Sequence, residues 1–146
     1  MTPREAAVAT VQGVLADHPD VPARRLAEHR WLLTLGGEIR LAIPVLLDVG
    51  PRTTSLTSFL LRGPRSAAAA GLHRLLLRKN LTTHRLHFAL DGDDDVVLVA
   101  RLPTGGLDGE EVEAALAEIL SVSEGAFESL VHLAYPGVFP PLPPRP

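Results

Sequence analysis

The stretch Ser66–Leu90 changes its period part-way, and that change limits the folds open to the chain. Its first part, SAAAAGLHRLLLRKN, puts Ala68, Leu72, Leu75, Leu76 and Lys79 at i, i+4, i+7, i+8 and i+11, one face of a helix. Its second part, LTTHRLHFAL, alternates, with Leu86, Phe88 and Leu90 on one side and Arg85 and His87 on the other. A helix that hands over to a strand this directly needs a sheet to lie on. Ser66 suits an N-cap, because its hydroxyl can accept from a free first-turn amide. Arg78 and Lys79 suit the negative end of the helix dipole. Asn80 tolerates the left-handed backbone of a C-cap.

Upstream, Thr2 and Glu5 form a capping box with Pro3 at the first helical position. Ala7, Val8, Val11, Val14 and Leu15 make the apolar stripe of that helix, and Asp17-His18-Pro19-Asp20 stops it. Pro22–Glu28 fits a loop or a short helical turn. Trp31, Leu33 and Leu35 alternate, and Gly36-Gly37 predicts a tight hairpin turn. Ile39, Leu41, Ile43, Val45, Leu47 and Val49 predict a strand over 38–49, with Glu38, Arg40 and Asp48 outward. Pro44 lacks an amide donor, which implies a sheet edge or a bulge there. Arg40 and Arg52 can equally be structural, pairing with Glu38 or Asp48 on the outer face of the meander. Gly50-Pro51 turns the chain into a third strand, Arg52–Leu61.

Downstream, Asp91-Gly92-Asp93-Asp94-Asp95 reads as a hairpin loop. Val96–Leu102 is almost wholly apolar, which predicts a strand buried on both faces. Asp108 and Glu111 predict a second capping box. Val112, Ala115, Leu116, Ile119, Leu120, Phe127, Leu130 and Val131 then keep helical spacing to Ala134, roughly 40 Å at 1.5 Å per residue. The predicted order is α-βββ-α-ββ-α. That is an α+β domain, residues 1–137, with a five-stranded antiparallel sheet and flanking helices. Residues 138–146, VFPPLPPRP, form a polyproline tail.

Several function classes drop out. There are no cysteines, so disulfides, thiolate metal sites and cysteine nucleophiles are absent. No run approaches the roughly 20 apolar residues that span a bilayer, and no leader-type apolar segment opens the chain, so a cytoplasmic, non-membrane protein is expected. Asp91, Asp93 and Asp95 match the first ligands of a calcium loop, but Val96 stands where glycine is needed and Leu102 where a bidentate glutamate belongs. His84 and His87 point to opposite strand faces. There is no GxSxG, and neither Gly36-Gly37 nor Gly105-Gly106 has the spacing of a phosphate loop. No metal, cofactor or catalytic residue is therefore expected.

Charge is the remaining signal. Residues 49–90 carry seven basic side chains and no acidic one, whereas residues 91–146 carry a net charge of −9. The two regions either face each other, within the fold or across a dimer, or present one surface to an oppositely charged partner. Arg74, Leu77, Arg78, Lys79 and Arg85 are the candidate partner-binding residues, and Leu77 lies off the buried stripe of its helix. The same basic stretch, residues 52–85, admits nucleic acid as the alternative partner, although Phe59 is its one aromatic residue. The tail also fits a PxxPxR ligand of SH3-like grooves.

Trp31, the GGEIR segment (Gly36–Arg40), Arg52-Thr53, LLLRKN (Leu75–Asn80), His87-Phe88-Ala89, VLVARLP (Val97–Pro103) and the long last helix together resemble bacterial YbjN-domain proteins. The resemblance covers residues 25–134, and its most specific part is the LLRxN helix end followed by the HFA and RLP strands. That family is similar in fold to the class I chaperones of type III secretion, homodimers that bind extended segments of client proteins. The resemblance implies a non-enzymatic protein-binding regulator or chaperone-like adaptor, acting as a homodimer. The proline tail and Pro44 depart from the pattern.

Overall fold

The Thr2 hydroxyl accepts from the Glu5 amide at 3.1 Å, and the Glu5 carboxylate accepts from the Thr2 amide at 3.2 Å. This reciprocal cap starts helix α1 (Pro3–Asp17), which buries Ala7, Val11 and Val14. The computed structural model describes residues 1–138, so the predicted tail lies outside the described residues apart from Val138. The elements after α1 are β1 (Ala23–Ala27), β2 (Arg30–Leu35), β3 (Ile43–Val49), β4 (Thr53–Leu61), α2 (Ala68–Lys79), β5 (Leu86–Leu90), β6 (Val96–Pro103) and α3 (Gly109–Ala134).

The class is α+β as expected, but the sheet has six strands in the order β1-β2-β3-β4-β6-β5, all antiparallel. The sequence reading of five is corrected by β1, which occupies the ambiguous 22–28 stretch. Every residue of β1 is exposed, so it shows none of the alternation by which strands are recognised.

The second correction concerns the predicted strand over 38–49. Pairing begins only at Ile43, and Ile39 and Leu41 are 51% and 80% exposed. Gly36-Gly37 opens a loop over 36–42 instead of a two-residue turn, closed by the Gly37 amide donating to the Arg40 carbonyl at 2.9 Å. Pro44 lies on an internal strand, not an edge. It is tolerated because the β3–β4 ladder stops at Leu46↔Thr57, and the Ser58 hydroxyl donates to the Pro44 carbonyl at 2.7 Å.

Alternation then separates the two faces of the sheet. Trp31, Leu33, Leu35, Val45, Leu47, Leu56, Leu98 and Ala100 are buried in one cluster with Leu72 of α2 and Val112, Ala115, Ile119 and Leu130 of α3. Each fully buried aliphatic side chain contributes about 1.5–3 kcal/mol. The first five residues of β6 are all buried, as the unbroken apolar run predicted.

Two expected caps differ. The Ser66 hydroxyl does accept from the Ala68 amide at 3.2 Å, but it stands one residue before the N-cap position. Asp108 caps α3 by accepting from Glu110, while Glu111 turns away from the expected box.

Candidate functional site

Two glutamates of α3 organise the surface around them. The Glu124 carboxylate accepts from the Ile39 and Arg40 amides at 2.9 and 3.4 Å. The Glu118 carboxylate accepts from the His84 and Arg85 amides at 2.9 and 3.1 Å. Each thus holds two consecutive amides of a loop that has no sheet partner for them. A Cβ on Gly37 would overlap the Glu124 carboxylate, so Gly37 is there for a close approach.

Arg40 does not pair with Glu38 or Asp48. Its guanidinium donates to Ser123 Oγ at 2.6 Å and lies 4.8 Å from the centre of the Phe127 ring. Burial lowers its pKa, and Glu124 opposes that shift. Asp48 instead pairs with Arg30 at 3.5 Å.

With loop 36–42 fastened in this way, a cleft remains between α1, β2 and α3. It measures about 270 Å³ and is lined by Val14, Leu15, Val21, Leu33, Leu35, Leu116, Ala117 and Leu120, with His18 and Glu113 among its walls. His18 Nε2 and Glu113 Oε2 lie 2.8 Å apart. That hydrogen bond raises the His18 pKa above its ordinary value, although burial acts the other way. Leu120 also borders a second hollow under Gly36–Ile39, so the apolar path continues along α3. Apart from His18 and Glu113, the residues lining the cleft are apolar.

The two sheet edges differ. At β5, the Asn80 side chain accepts from the Phe88 amide at 2.7 Å and donates to the Phe88 carbonyl at 3.1 Å. Asn80 itself is right-handed (φ −62°), so its role is to close the sheet edge and not the expected left-handed cap. At β1 the side-chain cover is confined to the strand's end, where Arg25 donates from Nε to the Ala27 carbonyl at 3.4 Å and from Nη2 to the Glu28 carbonyl at 2.7 Å. Arg25 lies 5.1 Å from the Trp31 ring centre, and a bulge between Arg25 and Ala27 shortens the pairing.

The predicted partner-binding residues do not stay together. Arg74, Leu77 and Arg78 are exposed on the outer side of α2, and Lys79 is half-buried. Arg85 leaves the group, with its Nε donating to Glu111 Oε2 at 3.0 Å. This pair raises the Arg85 pKa and lowers that of Glu111, mainly through the hydrogen bond. It is also one point where the basic middle and acidic last third meet within the fold. The aspartates of the β5–β6 loop serve the turn: Asp91 accepts from the Asp93 and Asp95 amides at 2.8 and 3.0 Å, and Asp95 accepts from Gly63 at 3.0 Å.

Sequence reasoning missed the cleft, Asn80's role and the two amide-holding glutamates. Leu116 and Leu120 read only as helix core, and no sequence pattern singles out Glu113, Glu118 or Glu124. Among the described residues, no helix is long and apolar enough to cross a membrane.

This arrangement of sheet and helices is similar in fold to type III secretion chaperones. The chain is similar to one in the crystal structure of the ExsC–ExsE complex, with a TM-score of 0.59 and 23% identity over 84% of this chain and 95% of that one. It is also similar to the Yersinia pestis type III secretion chaperone SycH, in complex with a stable fragment of YscM2. There the TM-score is 0.53 and the identity 14%, over 82% of this chain and 98% of that one. Identities this low establish likeness of fold alone. The chain belongs to the YbjN family, described as "Putative bacterial sensory transduction regulator", whose model matches residues 9–131. An uncharacterized protein of Mycobacterium tuberculosis is 27% identical over 134 residues, covering 86% of this chain and 73% of that protein. An uncharacterized protein of Mycobacterium leprae is 28% identical over 106 residues, covering 73% of this chain and 57% of that protein.

Proposed function

We propose that the protein is a non-enzymatic adaptor that holds an extended, apolar segment of a partner protein in the cleft between α1, β2 and α3. The observation that carries this reading is the cleft itself: about 270 Å³, with Leu33, Leu35, Leu116 and Leu120 in its walls, one strand in from the β1 edge. An extended segment laid there has backbone groups for β1 to pair and side chains for the cleft to bury. The support from comparison is that the two fold neighbours are described in complexes with protein partners. In this reading residues 1–137 act as one unit, as a homodimer in the cytoplasm.

Ala117 is exposed and borders the cleft, so Ala117→Arg fills it without disturbing the core. Pull-downs from host lysate, with and without nuclease, compare the two proteins by mass spectrometry. Nuclease-resistant partners that Ala117→Arg loses support the reading. Partners lost on nuclease treatment alone put the nucleic-acid alternative in its place, and an unchanged partner set removes the cleft from the function.

A further inference from the structure

A second surface lies on α2, on the opposite side of that helix from its packed face. Leu72 and Leu76 are 0% and 4% exposed, against 71% for Leu77 and 86% for Leu81. Ala70, Arg74, Leu77 and Arg78 fall at i, i+4, i+7 and i+8 on the exposed side of α2, and Leu81 follows in the turn just past the C-cap, its amide donating to the Arg78 carbonyl at 3.1 Å. The helical part of this apolar and basic stripe extends about 12 Å, roughly two turns. Among the described residues neither Arg74 nor Arg78 has a hydrogen-bond or ion-pair partner, unlike Arg30, Arg40 and Arg85. No acidic residue occurs between Asp48 and Asp91, so no neighbour in sequence supplies one.

We infer that this stripe is a docking surface for an acidic amphipathic helix of a different protein. A short helix laid along α2 would bury Leu77 and Leu81 and set carboxylates against Arg74 and Arg78. A second copy is the poorer occupant. Two-fold pairing of the stripe with itself sets the same arginines against each other, and like charges at an interface oppose binding. Nucleic acid is also poorer, because the stripe exposes two leucines, Leu77 and Leu81, and has no aromatic group on which a base can stack. The inference does not depend on the cleft, which lies between other elements.

The test uses the full chain and a fluorescent synthetic helix with leucines at i, i+4 and i+7 and glutamates flanking them, read by anisotropy. The wild-type protein should bind this peptide, and Arg74→Glu with Arg78→Glu should weaken it at least about tenfold, the equivalent of about 1.4 kcal/mol. A peptide with lysines replacing the glutamates should restore binding to that double variant and not to the wild type. Leu77→Ser should weaken the acidic peptide with an unchanged circular dichroism spectrum. The inference fails if the double variant binds the acidic peptide as the wild type does. It also fails if duplex DNA binds and the peptide does not compete. Conversion of a dimer to a monomer by Leu77→Ser, seen by sedimentation, would give the stripe to a second copy. Loss of the cleft's partners in Ala117→Arg leaves this binding unchanged, so the two readings fail separately.

Discussion

The two edges of the sheet meet the same physical problem and answer it differently. An edge strand exposes backbone donors and acceptors that invite another strand. At β5 the answer is a side chain: Asn80 supplies one acceptor and one donor to Phe88, as a neighbouring strand would. Glu118 then takes the amides of His84 and Arg85, just before the strand begins. At β1 the answer is a bulge and Arg25, whose guanidinium takes the Ala27 and Glu28 carbonyls at the strand's end, while Arg24 adds a second charge. One edge is thus closed at its middle, at Phe88, and the other only at its end. The apolar cleft lies toward the second.

The largest effect should come from the hydrophobic floor of the open side. Leu33 is fully buried yet borders the cleft, so Leu33→Ala should cost about 2–5 kcal/mol in a urea titration. A loss near zero would mean that the cleft walls are not part of the core. Next is the seal on the closed side. Asn80→Ala strands the Phe88 amide and carbonyl and should cost about 1–3 kcal/mol. Faster hydrogen exchange at Phe88 and concentration-dependent self-association would show that the seal keeps this edge unpaired; an unchanged exchange rate would break the comparison.

The smallest effect is the pH response of the cleft rim. Because Glu113 raises the His18 pKa, the pair's stabilising contribution is complete below the ordinary histidine value of about 6.5. It fades as pH rises through the raised value. An NMR titration of His18 should move to lower pH in Glu113→Gln, and an unmoved midpoint would show that the contact does not persist in solution.

Much of this was legible in sequence where the signal is local. The period change at Ser66–Leu90 gave α2 and β5, and Thr2 with Glu5 gave the start of α1. Errors arose where a regular pattern was not a local cause. Ile39 and Leu41 continue the alternation of β3 but lie in a loop, where Glu124 takes the amides of Ile39 and Arg40 in place of a neighbouring strand. Arg85 runs with Arg74 and Arg78 in the basic stretch, and its ion pair with Glu111 has no local sequence signal.

The sequence by itself determined which segments could be helix or strand and which of their faces are apolar, because periodicity and capping act between residues a few positions apart. Only the tertiary structure decided which edge is sealed and which surfaces are open. The contacts responsible span 8 residues for Asn80 with Phe88, 34 for His84 with Glu118, 85 for Ile39 with Glu124 and 95 for His18 with Glu113. A hydrogen bond across such a distance forms only where packing brings donor and acceptor to about 3 Å, and no local pattern records that placement.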